Sequence, residues 1–311
     1  MGEDLYTNSP AARSVLDSAD TAFGGPLTRY CFEGPENALR PTHVQQPAIV
    51  AVSVAAFAAF REALGLPGVA LAAPSDMGAV AAVAGHSVGL CSALVAAGAM
   101  QLAEAIPLVR DRGEFLAAAA SRRPGTMAAV LGLDPEVVDA LVTRIRTAAP
   151  GSYLSVANIN SPKQVVVAGD LTSVQALIET ASSAGARRAI PLPVSGAFHT
   201  IAMLPAQAAM RERLLAVGLR EPVVPVVSNV DASLLTTPAQ LRAELADHIP
   251  APVRWLDSVR RLGELRVTHV IEFGPGDVLS GLVRRTLDHV AVMNVDTVEA
   301  AVTAVKSLRN G

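Results

Sequence analysis

The stretch from residue 80 to residue 103 restricts the fold of this chain more than any other. It places the pentapeptide Gly85-His86-Ser87-Val88-Gly89 after a short apolar run, Val80 to Ala84, and before an alanine-rich run. A Gly-X-Ser-X-Gly pentapeptide in this context predicts a buried strand, a strained turn that raises the serine, and a helix. The N-terminus of that helix would offer free N–H groups to an oxyanion. The pattern therefore predicts Ser87 as a nucleophile, against the alternative of a chance match in a region rich in alanine and glycine.

Composition narrows the classes of protein that the chain can belong to. Of the 311 residues, 51% are hydrophobic and 17% are charged, so the chain can bury a large core. A net charge of −3 without a basic stripe argues against a nucleic-acid partner. Met77 to Ala103 lacks charged residues and is long enough to cross a bilayer, but the pentapeptide interrupts it, which favours a buried strand and helix and no membrane partner. Cys31 and Cys91 are too few for a disulfide framework or a zinc site, which predicts a cytoplasmic protein.

The order of predicted strands and helices divides the chain. Residues 125–192 follow the order strand, helix, strand, strand, helix, strand, which is the ferredoxin-like pattern. Outside them strands alternate with helices, which is typical of a mostly parallel sheet covered by helices. We therefore expect an α/β core formed by residues 1–124 and 193–311, with a ferredoxin-like subdomain inserted at 125–192. In that core one helix is predicted to begin at Pro47, and strands are predicted at Val80 to Ala84, Pro225 to Ser228, Val267 to Ile271 and Ala291 to Val295.

A nucleophilic serine needs a base, and six histidines are available. His199 lies in the loop that follows a predicted strand, and catalytic side chains concentrate in such loops. The position fits a general base and an ordinary surface histidine equally well. The residues alone therefore leave both interpretations of His199 open.

Eight short stretches give the sequence a resemblance to a known family. They are THVQQPAI, AGHSVG, VRDRGEF, NINSPKQVVVAG, PVSGAFHT, PVVSNVD, PVRW and EFGPGDVLSGL, and they span nearly the whole chain. In this order they resemble the malonyl-CoA:acyl-carrier-protein transacylases of fatty acid synthesis and the acyltransferase domains of polyketide synthases. The resemblance implies a hydrolase-like α/β core with an inserted ferredoxin-like subdomain.

The resemblance also implies the catalytic roles. The nucleophile falls on Ser87, its histidine partner on His199, and the arginine that holds the substrate carboxylate on Arg112. A guanidinium can bind a malonyl carboxylate through two parallel charge-assisted hydrogen bonds, which a neutral acetyl group cannot accept. Without the resemblance, Arg112 would be interpreted as a solvated helix charge, and Arg110 would compete with it for any role.

Five further residues receive supporting roles from the resemblance. The N–H of Val88 would donate to the oxyanion, Gln46 would line the acyl pocket, and His86 would pack beside the serine at the substrate site. Phe198 would crowd a methyl branch and so favour malonyl over methylmalonyl groups. The backbone carbonyl of His248, where the family often has glutamine, would orient the catalytic histidine. We expect that position to tolerate any side chain, although its imidazole would be an unusual second one near the site.

The beginning of the chain departs from the family pattern. Met1-Gly2-Glu3-Asp4 resembles the family just downstream of a first strand and a Pro-Gly-Gln-Gly loop, which supplies a second oxyanion donor. We therefore expect the true start to lie upstream and Met1 to be an internal methionine.

The sequence thus predicts a monomeric acyltransferase that needs no metal or cofactor. It would move a malonyl group from malonyl-CoA to the phosphopantetheine thiol of an acyl carrier protein, through a malonyl-serine intermediate, in fatty acid or polyketide synthesis. Two alternatives remain. One is an acyl hydrolase of the same family, which Arg112 disfavours, and the other is an inactive remnant that acts as an interaction partner.

Overall fold

A computed structural model of the chain describes residues 1–76 and 79–310. Met77 and Gly78, the first two residues of the uncharged stretch, lie outside the described residues. The α-helices are α1 (Glu3–Asn8), α2 (Pro10–Phe23), α3 (Leu27–Phe32), α4 (Glu36–Leu39), α5 (Thr42–Leu64), α6 (Gly89–Ala96), α7 (Leu102–Arg122), α8 (Pro135–Ala148), α9 (Leu171–Ser183), α10 (Leu204–Leu214), α11 (Pro238–Asp247), α12 (Trp255–Glu264), α13 (Val278–Arg284) and α14 (Val298–Asn310). The strands are β1 (Thr126–Leu131), β2 (Leu154–Ser161), β3 (Gln164–Gly169), β4 (Arg188–Pro191), β5 (Val226–Val227), β6 (Leu234–Leu235), β7 (His269–Phe273) and β8 (Ala291–Val295).

Strands β1 to β4 form an antiparallel sheet in the order β2-β3-β1-β4, with α8 and α9 between them along the chain. This is the ferredoxin-like order that the sequence predicts. Alternate strand residues such as Val130 and Val165 point to one face and pack with Val138 of α8 and Leu177 of α9 in a hydrophobic cluster of their own. The sheet therefore has its own small core beside the larger one.

The larger core surrounds α5, which contacts α2, α6, α7 and α14. α5 is long and apolar enough to cross a membrane, but 78% of its most apolar window is buried inside the protein. It begins at Thr42, five residues before the predicted start at Pro47 (47 − 42). Proline inside a helix removes one hydrogen bond, to the carbonyl four residues earlier. Here the helix continues through Pro47, and the apolar residues Val44 and Ala48 on either side of it are buried in the core.

Parallel pairing occurs at three places in the described residues, one of which is a single bridge between Asn158 of β2 and Val253. β7 pairs with β8 in parallel. The sequence predicts the first of these strands at 267–271, and in the structure it runs from His269 to Phe273. Val83 forms a single parallel bridge with Val226, while β5 pairs with β6 in antiparallel fashion. Within the described residues the sheets are therefore small, as helices cover most of the core.

The strand predicted at Val80 to Ala84 is wrong, because only Val83 pairs. Its N–H donates to the carbonyl of Pro225, and its carbonyl accepts from Val227. Extending the ladder backward would require an N–H at Pro225, which proline lacks. Extending it forward would require the N–H of Asn229, but that group donates to the carboxylate of Glu244. The ladder is therefore blocked on both sides of the Val83 bridge.

Candidate active site

Ser87 lies on a strained turn between the Val83 bridge and α6. Its φ of 51° lies in the left-handed region, which costs a non-glycine residue about 1–3 kcal/mol. A Cβ at Gly85 would overlap the backbone of Gly89, so no other residue fits there. A Cβ at Gly89 would meet no atom within 4 Å outside the backbone of its own helix, so close packing requires a glycine only at position 85.

Asn229, which the sequence interpretation missed, holds both sides of this turn. Its Oδ1 accepts from the backbone N–H of Ser87 at 2.9 Å, and its Nδ2 donates to the carbonyl of Gly85 at 3.0 Å. The N–H of Val88, in contrast, donates to no acceptor in the described part of the chain. The stretch PVVSNVD contains Asn229, so the family resemblance carried a signal for it.

His199 places its ring against the serine. Its Nε2 lies 2.9 Å from the Ser87 Oγ, and its Nδ1 lies 2.9 Å from the carbonyl of His248 and 3.2 Å from that of Ala251. Carbonyl oxygens only accept hydrogen bonds, so Nδ1 carries the proton and Nε2 is free to accept the serine hydrogen. Burial, followed by the charge of Arg112, lowers the pKa of His199 to about 3. The ring is therefore neutral at physiological pH, as a general base must be.

Like Ser87, His199 has a left-handed backbone, with a φ of 59°. Its side chain is only 6% exposed. These facts disfavour the alternative of an ordinary surface histidine, because buried strained residues cluster at functional sites.

Arg112 extends from α7 to the same point. Its Nη2 donates to the Ser87 Oγ and to Nε2 of His248, both at 3.2 Å, and its Nη1 donates to Oε1 of Gln46 at 2.6 Å. The side chain is 3% exposed, and burial lowers its pKa to about 10, so it stays cationic at neutral pH. No carboxylate of residues 1–76 and 79–310 forms an ion pair with it.

Arg110 lies elsewhere on α7. It donates to the carbonyl of Phe23 at 3.1 Å and lies 3.6 Å from the carboxylate of Asp111, with 37% of its side chain exposed. Of the two arginines, only Arg112 therefore contacts Ser87.

Gly113 allows α7 to pack directly against the backbone of α5. A Cβ at this position would lie 2.5 Å from the backbone of His43, so the two helices touch through a glycine. Gln46 is one turn further along α5 and Arg112 is the neighbour of Gly113. The contact therefore sets the distance between the amide of Gln46 and the guanidinium of Arg112.

His248 contributes more than its backbone carbonyl. Its imidazole is 1% exposed, and its Nδ1 donates to the carbonyl of Glu244 at 2.7 Å. The carboxylate of Glu244 accepts from the hydroxyl of Ser228 at 2.7 Å and from the N–H of Asn229 at 2.6 Å. Burial raises the pKa of Glu244, and these donors oppose that effect. One polar network thus connects α11 with the nucleophile turn.

These side chains surround a cavity of about 210 Å³. Its polar wall consists of Gln46, His86, Ser87, Arg112, Asn158 and His199. Its apolar wall consists of Leu116, Met127, Leu192, Phe198 and Ile249. Pockets for drug-sized ligands measure about 300–1,000 Å³, so this one fits a short acyl group.

His86 lies behind the serine. Its Nε2 is 3.0 Å from Oδ1 of Asn160, and its ring packs edge-on against Trp255. In the described ranges no three His, Cys, Asp or Glu side chains lie close enough together to hold a metal ion. The cavity thus offers a serine–histidine pair and a cation that has no carboxylate partner in the described part of the chain.

Comparison with known proteins places this geometry in a family. The acyl transferase domain model matches residues 1–307. A malonyl CoA-acyl carrier protein transacylase of Bacillus subtilis is 38% identical over 309 residues, which cover 98% of this chain and 93% of that protein. A crystal structure of the acyl-carrier-protein S-malonyltransferase of Bartonella henselae is 35% identical, with a TM-score of 0.91 and coverage of 99% and 95%.

A further structure shows a malonyl-transacylase in complex with the acyl carrier protein of a type II polyketide synthase. It is 33% identical, with a TM-score of 0.90, and covers 99% of this chain and 94% of that one. These matches confirm the resemblance and the fold class that the sequence predicts. This chain belongs to the acyl transferase domain family and is an acyltransferase.

Proposed function

We propose that this enzyme transfers malonyl groups from malonyl-CoA to the phosphopantetheine thiol of an acyl carrier protein. The observation that carries the proposal is the Arg112 guanidinium, which is buried, charged and 3.2 Å from the Ser87 Oγ, and has no carboxylate partner among the described residues. A buried cation without an anion is costly unless a ligand supplies one. A malonyl thioester carries a carboxylate two bonds from the carbonyl that the serine attacks, and so meets both requirements.

In the first half-reaction, His199 Nε2 takes the proton of the Ser87 hydroxyl, and Oγ attacks the thioester carbonyl. The N–H of Val88, which has no acceptor among the described residues, would donate to the oxyanion that forms. The C–S bond then breaks, the CoA sulfur takes the proton from His199, and a malonyl-serine ester remains. In the second half, the pantetheine thiol gives its proton to His199 and its sulfur attacks the ester carbonyl. The bond from that carbonyl to Ser87 Oγ then breaks, Oγ takes the proton from His199, and a malonyl thioester of the carrier protein leaves.

Residues around the cavity support a short, carboxylate-bearing acyl group. Gln46 and Arg112 form its polar side, and Phe198 lies on the wall where a methyl branch would have to fit. His86, fixed by Asn160, packs beside the serine. A methyl group is worth about 1–3 kcal/mol in such a pocket, so discrimination against methylmalonyl should be partial.

The proposal extends to the setting of the enzyme. The transacylase names of the relatives support malonyl-CoA and acyl carrier protein as substrates, in fatty acid or polyketide synthesis. We propose that the enzyme is cytoplasmic. We also propose that the subdomain extends from residue 125 to residue 192, because β1 to β4 lie within these bounds and have a hydrophobic core of their own.

The test is intact-protein mass spectrometry after brief mixing with malonyl-CoA. The unaltered protein should gain one malonyl group and lose it when a phosphopantetheinylated carrier protein is added. Ser87→Ala should gain none, while Ser195→Ala, an exposed serine in the loop before His199, should behave like the unaltered protein. Release of malonate to water faster than transfer to carrier protein would instead support the hydrolase alternative, and absence of any adduct would refute acyl transfer.

A further inference from the structure

The imidazole of His248 makes a contact that its expected role does not require. Orienting His199 needs only the backbone carbonyl of His248, which any residue provides. The side chain nevertheless lies against Arg112, with Nε2 3.2 Å from Nη2. We propose that the His248 imidazole is a positioning residue that accepts a hydrogen bond from Arg112 and fixes the guanidinium in the orientation that selects carboxylate-bearing acyl groups. This inference rests on the proposed malonyl transfer.

The protonation of His248 follows from its neighbours. Nδ1 lies 2.7 Å from the Glu244 carbonyl, an acceptor, so Nδ1 carries the hydrogen. Nε2 therefore presents a lone pair, and the Arg112 guanidinium, which only donates, supplies the matching hydrogen. Burial, followed by the charges of Arg112 and His199, holds the pKa of His248 well below its usual value. The charged and titratable groups around the ring are Arg112, His199 and His86, and all three favour its neutral, accepting form.

The donors of Arg112 show what this contact achieves. Both hydrogens of Nη2 are used, by His248 and by the Ser87 Oγ, and one hydrogen of Nη1 is used by Gln46. Nε is buried and has no partner among the described residues. Gln46 on α5 and His248 after α11 thus hold opposite ends of the guanidinium plane. Only the buried Nε–H and one hydrogen of Nη1 lack a partner among the described residues, so the guanidinium is already ordered before the substrate carboxylate arrives.

Preorganisation of this kind affects one substrate class. An arginine loses rotamer freedom when it forms a bidentate pair, and an arginine that is already fixed loses less. Acetyl-CoA has no carboxylate, so its reaction depends on Ser87 and His199 but hardly on the orientation of Arg112. Loss of the imidazole should therefore lower malonyl transfer selectively, whereas loss of the carbonyl contact to His199 would affect both substrates.

The experiment compares His248→Leu with His248→Gln, which restores an acceptor on the side chain, and with His289→Leu at an exposed histidine. Single-turnover acylation of the full chain is followed by mass spectrometry over a range of malonyl-CoA and acetyl-CoA concentrations. His248→Leu should lower kcat/KM for malonyl-CoA about 10- to 100-fold, the equivalent of one hydrogen bond to a charged group, mainly through KM. It should lower the value for acetyl-CoA by less than about threefold. His248→Gln should recover most of the malonyl preference.

Several outcomes would overturn the inference. One is an equal loss for both substrates in His248→Leu, which points to the His199 contact. Another is no loss for either, and a third is a His248→Gln variant as impaired as His248→Leu. Circular dichroism of each variant shows that it is folded, and should His248→Leu fail to fold, His248→Ala, which also lacks the acceptor, is compared with His248→Gln on both thioesters. If the unaltered protein forms no malonyl adduct, the proposed function fails instead.

Discussion

Replacement of Arg112 by methionine tests the carboxylate-binding role most directly. Methionine keeps an unbranched side chain but removes the charge and all five N–H donors. A bound malonyl carboxylate would lose two charge-assisted hydrogen bonds, each worth about 1.5–3 kcal/mol. The sum, about 3–6 kcal/mol, corresponds to about a 10²- to 10⁴-fold loss in kcat/KM for malonyl-CoA.

Acetyl-CoA supplies the internal reference for this variant. Its acyl group cannot pair with Arg112, so only the 3.2 Å contact between Nη2 and the Ser87 Oγ is lost, and a change of less than about tenfold is expected. The preference for malonyl over acetyl should therefore fall by at least about tenfold. The assay is single-turnover acylation of Ser87 with each thioester, measured by intact mass.

Arg110→Met is the matched control, because Arg110 lies two positions earlier on α7 and bonds to the Phe23 carbonyl at the surface. It should leave both acylation rates within about twofold, since Arg110 neither lines the cavity nor contacts Ser87. The reasoning is refuted if Arg112→Met lowers both substrates equally, or if Arg110→Met reproduces its loss of preference.

Two further predictions concern stability. Gly113→Ala should lower the free energy of unfolding by about 1–3 kcal/mol, because the new Cβ would lie 2.5 Å from the backbone of His43. Its control is Gly281→Ala, where a Cβ would have no atom within 4 Å, and this change should stabilise α13 or be neutral. Urea denaturation of both variants checks this, and equal losses would contradict it. The free energy of unfolding should also fall as the pH drops below about 6.5, because the unfolded chain then protonates His199 while the folded chain keeps it neutral down to about pH 3. For His199 alone the loss is about 1.4 kcal/mol per pH unit in that window, and urea titrations that show constant stability between about pH 5 and pH 7 would contradict it.

Much of the fold could be predicted from the sequence because local patterns determine it. The ferredoxin-like order over β1 to β4 follows from strand and helix periods, and the sharp turn at Ser87 follows from the glycine at 85. The sequence of residues 80–84 alone could not show that only Val83 pairs with another strand. Its length depends on Pro225, which lacks an N–H, and on Asn229, whose N–H is taken by Glu244.

The sequence also predicts one part of the candidate site and misses another. The resemblance points to Ser87, His199 and Arg112, and the structure brings them together, although their catalytic roles remain a proposal. Asn229 and Glu244 were missed because a buried polar partner has no local pattern of its own, and for Asn229 the only signal was its place in the stretch PVVSNVD. Asn229 lies 142 residues from Ser87 in sequence and meets it only in the folded chain.

A closed ring of hydrogen bonds through five residues connects the guanidinium of Arg112 with Ser87. Ser87 N–H donates to Asn229, Asn229 N–H to Glu244, His248 Nδ1 to the Glu244 carbonyl, and Arg112 Nη2 to both His248 and Ser87 Oγ. A buried hydrogen bond contributes about 0.5–1.5 kcal/mol net, so the ring together offsets a strain of about 1–3 kcal/mol at Ser87. Because each member satisfies the next, removal of one leaves a buried donor or acceptor unpaired in its neighbour. Ser87 and Arg112 are therefore positioned as one unit, and His199 joins it through Ser87 Oγ and the carbonyl of His248, from segments that lie far apart in the sequence.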